Sequence, residues 1–116
     1  MVFIQPTSPL IKPEDINSGL EMMNEHDSVF SVTKNHWIPR WTMDVKPYKW
    51  DIKNRPMRQD KPETYLENGA FYITKKKSLL DSKLRYSGNI GVVEMPLRRS
   101  FQIDTLEDLK LVEKIL

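Results

Sequence analysis

The chain contains no cysteine, which excludes disulfides, thiolate metal sites and cysteine nucleophiles together. Its two histidines, His26 and His36, leave little for a histidine-based zinc site. Glycine is scarce, at four residues. No apolar run approaches the roughly 20 residues that span a bilayer, so no membrane partner is expected. Met1-Val2-Phe3-Ile4 carries neither a basic n-region nor an apolar h-region; no secretory signal is read there, and a cytoplasmic location is the expectation. Internal repeats and low-complexity tracts are also missing.

What is there suits one soluble globular domain: 116 residues, 39% hydrophobic and 29% charged. The net charge of +2 is unevenly spread. Between Lys34 and Lys61 stand eight Lys or Arg against three Asp, with Trp37, Trp41, Tyr48 and Trp50 among them. Basic residues interleaved with aromatics suit phosphates and stacked bases. No helix-turn-helix or RNP-type pattern accompanies them, so a solvated or subunit-facing extension is the preferred reading and no nucleic-acid partner is expected. A pocket rim that attracts a small polyanion is the third reading. Lys75-Lys76-Lys77 reads as the polar start of a short helix.

Val2-Phe3-Ile4 reads as a short strand buried on both faces. Pro13, Glu14 and Asp15 suit a first helical turn, and Ile16, Leu20 and Met23, widened by Met22, predict an amphipathic helix ending near His26-Asp27. Ser28 to Thr33 is a second strand, which makes a βαβ unit with parallel strands. From Lys34 to Pro62 periodicity fails, and prolines at 39, 47, 56 and 62 prevent a long helix. Strands resume at Asn68 to Ile73 and at Ile90 to Met95, with a short helix between, anchored by Leu79 and Leu80. Ser100 to Thr105 reads as a strand leading into a last helix, whose start at Thr105-Leu106-Glu107-Asp108 approximates a capping box. Leu109, Val112 and Leu116 would seat that helix on the sheet. The alternation predicts an α/β fold with a mostly parallel sheet.

Three stretches are candidates for chemistry. In an open α/β sheet, ligands bind beyond the carboxyl ends of strands, and Gln5-Pro6-Thr7-Ser8-Pro9 follows such an end. Two prolines stiffen it, so the Gln5 amide and the Thr7 and Ser8 hydroxyls either face a ligand or cap the next helix. Arg58-Gln59-Asp60-Lys61-Pro62, followed by Glu67-Asn68-Gly69-Ala70-Phe71-Tyr72, offers a guanidinium for an acid and amides for sugar hydroxyls. Asp104, at the end of the third stretch, is either a helix cap or a carboxylate for Mg²⁺.

Taken in order, QPTSPL, RQDKPETYLENGAFYI and FQIDTLEDL resemble the CMP-sialic acid synthetases and their legionaminic and pseudaminic acid relatives, over nearly the whole chain. The resemblance implies part of a nucleotide-diphosphosugar-transferase (Rossmann-like) fold. It also implies transfer of CMP from CTP to a nonulosonic acid, an acidic nine-carbon sugar, with pyrophosphate release and Mg²⁺ as cofactor. Gln5, Arg58, Asn68, Gly69 and Tyr72 then fall at substrate-binding positions, with Arg58 near the sugar carboxylate; Thr7 and Ser8 support the loop, and Asp104 matches the second of two metal aspartates.

This sequence departs from the family pattern at several places. Gln102 stands at the first metal aspartate, Met57 at a second arginine, and Ile11 at a frequent arginine. A pocket lysine of the family falls near Trp37 to Trp41, where Arg40 or Lys34 would stand in. The CTP-binding loop of the type ARxxSKxxxxKN has no counterpart in these 116 residues. The resemblance therefore implies a single partial domain, residues 1–116, that binds sugar, with residues 34–62 as a dimerisation extension and a homodimer as the assembly. A noncatalytic remnant that binds a sugar acid or only dimerises is the alternative.

Overall fold

A computed structural model describes residues 1–116. The elements in chain order are β1 (Val2–Ile4), α1 (Pro13–Met22), β2 (Ser28–Asn35), β3 (Thr64–Thr74), α2 (Lys76–Ser82), β4 (Ile90–Glu94) and α3 (Leu106–Ile115). The fold is α/β, but the sheet is mixed rather than mostly parallel: its order is β1-β3-β2-β4, and only the β2–β4 pairing is parallel. The reason is non-local. β3 returns from the long excursion after β2 and inserts antiparallel between β1 and β2. The two strands of the expected βαβ unit do run the same way, yet they never touch.

β1 is a strand, but it is not buried. It lies at the sheet edge, and Val2, Phe3 and Ile4 are 43, 41 and 47% exposed. Thr74 N–H donates to Met1 O at 3.0 Å and Gln5 N–H donates to Ala70 O at 3.1 Å. Alternation along an antiparallel pair then turns the backbone N–H and C=O of Val2 and Ile4 to the open side.

α1 starts at the proline as expected, and the Asp15 carboxylate accepts the Lys12 N–H at 2.9 Å, completing its first turn. The helix stops at Met22 and continues only as turns, four residues short of the expected end. Leu20 points away from the sheet, 47% exposed. Gly19 faces it instead, so close that an added Cβ would lie 2.7 Å from Ile73 Cδ1 and 3.0 Å from Phe71 Cε2. Val29, Ala70, Phe71, Ile73, Val93 and Met95 form the core beneath it, with Ile11, Ile16, Met22 and Met23 packed at its margin.

The stretch from Ser100 to Thr105 joins no strand ladder; it runs irregularly and is tied to the loop after β1 by Ile103 N–H donating to Thr7 O at 2.8 Å. The capping box at α3 is present, with Asp108 N–H donating to Thr105 Oγ1 at 3.1 Å and Thr105 N–H to Asp108 Oδ2 at 3.0 Å. α3 nevertheless does not seat its whole apolar face. Val112 is buried, while Leu109 is 38% and Leu116 is 78% exposed.

Between β2 and β3 the chain leaves the sheet altogether. The segment 36–63 contains only short 3-10 turns at Ile52–Asn54 and Arg58–Asp60 and an isolated bridge between Trp41 and Pro47. It carries the radius of gyration to 17.1 Å, against about 13 Å expected of a compact chain of this length. No helix is long and apolar enough to cross a membrane.

Candidate functional site

Beyond the end of β1 lies an open cleft of about 700 Å³. Gln5 enters it from the loop after β1, Thr33 from β2, and Leu66 to Gly69 with Tyr72 from β3. The far wall is the irregular stretch ahead of α3, through Leu97, Ser100, Phe101, Gln102 and Asp104, together with Asp108 of the helix itself.

A bulge shapes the floor. The β2–β3 register slips between Phe30 and Val32, leaving Ser31 opposite the Asn68–Phe71 stretch of β3. Asn68 is buried there and all its amide capacity is used. Its Oδ1 accepts from Ser31 Oγ at 2.6 Å and from Ala70 N–H at 3.2 Å. Its Nδ2 donates to Ser100 Oγ at 3.1 Å and to Met95 Sδ at 3.5 Å. An amide can do no more than this. Asn68 thus joins the bulge to the far wall, and its side chain is spent on protein. Gly69 follows at φ +70°, a conformation that costs an L side chain, and an added Cβ would collide with the Gln102 amide and lie 3.2 Å from Gln5 Oε1. The two glutamine amides therefore approach each other over a position only glycine fills.

The far wall has its own buttress. Arg99, in the 3-10 turn Leu97–Arg99, donates to the carboxylate of Asp15 on α1, and the two side chains are only 18 and 6% exposed. The acid that closes the first turn of α1 thus also fixes the segment that carries Ser100 to Asp104.

The lip is aromatic. Phe3, Tyr72 and Phe30 are in register across three strands and share one face of the sheet. Tyr72 stacks on Phe30, and Tyr86 meets Phe30 edge-on with ring centroids 5.1 Å apart. The hydroxyls of Tyr72 and Tyr86 both donate to Glu67 Oε1. Burial first, then the bonds to Glu67, push both phenols above their ordinary value. At the opposite end of the cleft Asp108 is held below the ordinary carboxylate value, mainly by the Asp104 N–H, with Thr105 adding to it. The Asp104 carboxylate itself is exposed and unbonded.

Of the residues singled out from sequence, Gln5, Asn68, Gly69, Tyr72 and Asp104 line this one cleft. Thr7 contributes its carbonyl to the far wall. Ser8 is buried behind the loop, its N–H donating to Gln5 O at 3.2 Å and its Oγ without a protein partner. Arg58 is elsewhere. It borders a separate groove with His36, Gln59, Lys61 and Glu63, because it rides on the excursion before β3 joins the sheet. Thr33, Arg85, Tyr86 and the Asp15–Arg99 pair escaped sequence reasoning, since only the strand register brings them near the cleft.

No family model matches the chain. Among curated proteins it is 33% identical over 120 residues to N-acylneuraminate cytidylyltransferase B of Danio rerio, matching 96% of this chain and 28% of that protein. It is 30% identical over 114 residues to the N-acylneuraminate cytidylyltransferase of Streptococcus agalactiae, 92% of this chain and 28% of the relative. It is 28% identical over 124 residues to CMP-N,N'-diacetyllegionaminic acid synthase of Legionella pneumophila, 100% of this chain and 53% of the relative. Over nearly its whole length the chain is thus similar to CMP-sialic acid synthetases, at about 30% identity. It spans between about a quarter and about half the length of these relatives. The resemblance carried by QPTSPL, ENGAFYI and FQIDTLEDL is thus matched by identity across nearly the whole chain.

Proposed function

We propose that this chain provides the sugar-binding and dimerising portion of a cytidylyltransferase that moves CMP from CTP onto a nonulosonic acid with release of pyrophosphate. The observation that carries the reading is the convergence on one cleft of Gln5, Asn68, Gly69, Tyr72 and Asp104, from stretches distant in sequence, in a chain whose relatives are named for that reaction. Gln5 presents its amide to the sugar, Gly69 lets the backbone come close, Tyr72 gives the sugar an aromatic wall, and Asn68 holds the floor in shape. Arg58 would reach a sugar only from outside the cleft of its own chain. The exposed Ile38, Trp41, Met43, Val45 and Ile52 of the excursion fit a subunit contact, and the assembly we propose is a homodimer.

Mg²⁺ is the cofactor of this reading, and the donor set fits it narrowly. No three His, Cys, Asp or Glu side chains stand close enough together to hold a metal ion among them. Asp104 offers one free carboxylate, sufficient for an ion whose other positions are filled by water and nucleotide phosphates. When bound there the ion would neutralise phosphate charge. Gln102 favours a second reading, a noncatalytic sugar-acid-binding remnant, because a neutral amide lies against Gly69 beside Asp104. Pyrophosphate release from CTP with N-acetylneuraminate or N,N'-diacetyllegionaminate separates the two. Turnover establishes the first reading. Sugar-acid binding without turnover or Mg²⁺-dependent CTP affinity establishes the second, and no sugar-acid binding removes both and leaves a remnant that only dimerises.

A further inference from the structure

The cleft has the wrong charge for an acid. Glu67, Asp104 and Asp108 line it, and none of its lining residues is a lysine or arginine. A sugar carboxylate placed among three carboxylates needs a cation close by. The cation at its lip is Arg85. Its guanidinium carbon lies 4.8 Å from the centroid of the Tyr72 ring and 5.1 Å from that of Phe3, over the aromatic row that reaches the cleft through Tyr72.

We propose that Arg85 receives the carboxylate of the sugar acid at this lip, an assignment that rests on the sugar-acid reading above. Four features support it. Arg85 has no acidic partner: the ion pairs of the chain are Lys34–Glu94, Lys46–Asp44, Lys75–Asp27 and Arg99–Asp15. Its backbone is pinned, since Thr74 Oγ1 donates to Arg85 O at 2.9 Å and, two residues on, Ser28 Oγ donates to Ser87 O at 3.1 Å. Lys83, in the left-handed region at φ 59°, ends α2 and turns the chain back so that this anchoring is reached. Arg85 is exposed over the two rings and its side chain also bonds the Tyr72 hydroxyl, and a guanidinium carries further N–H donors for a carboxylate. Arg98, next to cleft-lining Leu97, is exposed and held by no such contact.

The test is calorimetric binding of N-acetylneuraminate and its uncharged methyl ester to the full chain and to Arg85→Gln, Arg85→Lys, Arg98→Gln and Arg58→Gln, each checked for an unchanged circular dichroism spectrum and melting midpoint. The unmodified chain should prefer the acid to the ester. Arg85→Gln should lose about tenfold or more in affinity for the acid, the scale of a hydrogen bond to a charged group, and little for the ester. Arg85→Lys should recover part of the preference. If Arg85→Gln keeps the preference, or Arg98→Gln or Arg58→Gln loses it while Arg85→Gln does not, the assignment is wrong although the sugar-acid reading stands. A loss confined to CTP binding would make Arg85 a phosphate contact and overturn the assignment as well. Absence of binding by the unmodified chain would instead overturn the sugar-acid reading, and this assignment with it.

Discussion

The cleft and the excursion are built on opposite principles. The side chains that shape the cleft are braced by partners distant in sequence: Asn68 by Met95 and Ser100, Arg99 by Asp15, Glu67 by Tyr86. The excursion is braced almost entirely by itself. Trp50 Nε1–H donates to Arg40 O at 2.8 Å, Tyr48 N–H to the same carbonyl at 2.9 Å, and Trp41 meets Trp50 edge-on at 5.0 Å. No residue from 34 to 67 is buried. Val45 and Lys49 adopt left-handed φ of 63° and 60° without being glycine, a strain uncommon for a β-branched side chain. A region with local bonds, backbone strain and no share of the core has low stability of its own. The cleft is preorganised by the domain, whereas the excursion gains rigidity from whatever covers it.

Arg99→Met should have the largest effect. It leaves the Asp15 carboxylate buried and unpaired, at a cost of about 3 kcal/mol, measurable by urea denaturation, and it should loosen the far wall so that sugar affinity falls with stability. If stability is unchanged, α1 and the far wall are not coupled through this pair.

Asn68→Ala comes next, with about 2 kcal/mol lost as Ser31, Ala70 and Ser100 lose their shared partner. Hydrogen exchange should show the β2–β3 bulge opening while the excursion amides are unaffected. By contrast, Trp50→Ala should cost the sheet no more than about 0.5 kcal/mol, because it touches no core residue. Its effect should be on self-association, read by analytical ultracentrifugation.

The two regions should also respond to opposite ends of the pH scale. The phenols of Tyr72 and Tyr86 are raised above 10.0 in the folded chain, so the unfolded chain ionises first. Stability is therefore full below pH 10.0 and is lost as pH rises towards the folded values. Spectrophotometric titration should show two of the four tyrosines ionising late. Asp44 in the excursion is lowered, first by the Thr42 hydroxyl, so its contribution is complete above 3.8 and is lost as pH falls through the lower folded value. Carboxyl NMR titration of Asp44 checks this, and Thr42→Ala should return it towards its ordinary value.

Local chemistry was legible in the sequence and long-range register was not. The Thr105–Asp108 box and the proline start of α1 are short-range signals, and both elements begin where those residues stand. A strand at Val2–Ile4 was legible too, but its burial was not, since nothing local says which strand stands at an edge. The insertion of β3 between β1 and β2 follows from contacts across the excursion, which no periodicity records. The motif resemblance pointed to Gln5, Gly69, Tyr72 and Asp104 and the structure gathers them, whereas Arg58, adjacent in the same motif, belongs mechanically to the excursion. Arg85 and Tyr86 carry no local signal, because their meaning depends on Phe3 and Phe30, on two other strands.

The open side of β1 sets how the protein behaves in bulk. Val2 and Ile4 offer an apolar, uncharged ribbon with vacant amides and carbonyls, and no proline, lysine or kink interrupts it before Pro6. Such a seam adds chains in the manner of a zipper, so colloidal stability should fall with concentration more steeply than the fold's own stability would suggest. Ile4→Lys would blunt the seam while leaving every bond that β1 makes to β3 in place.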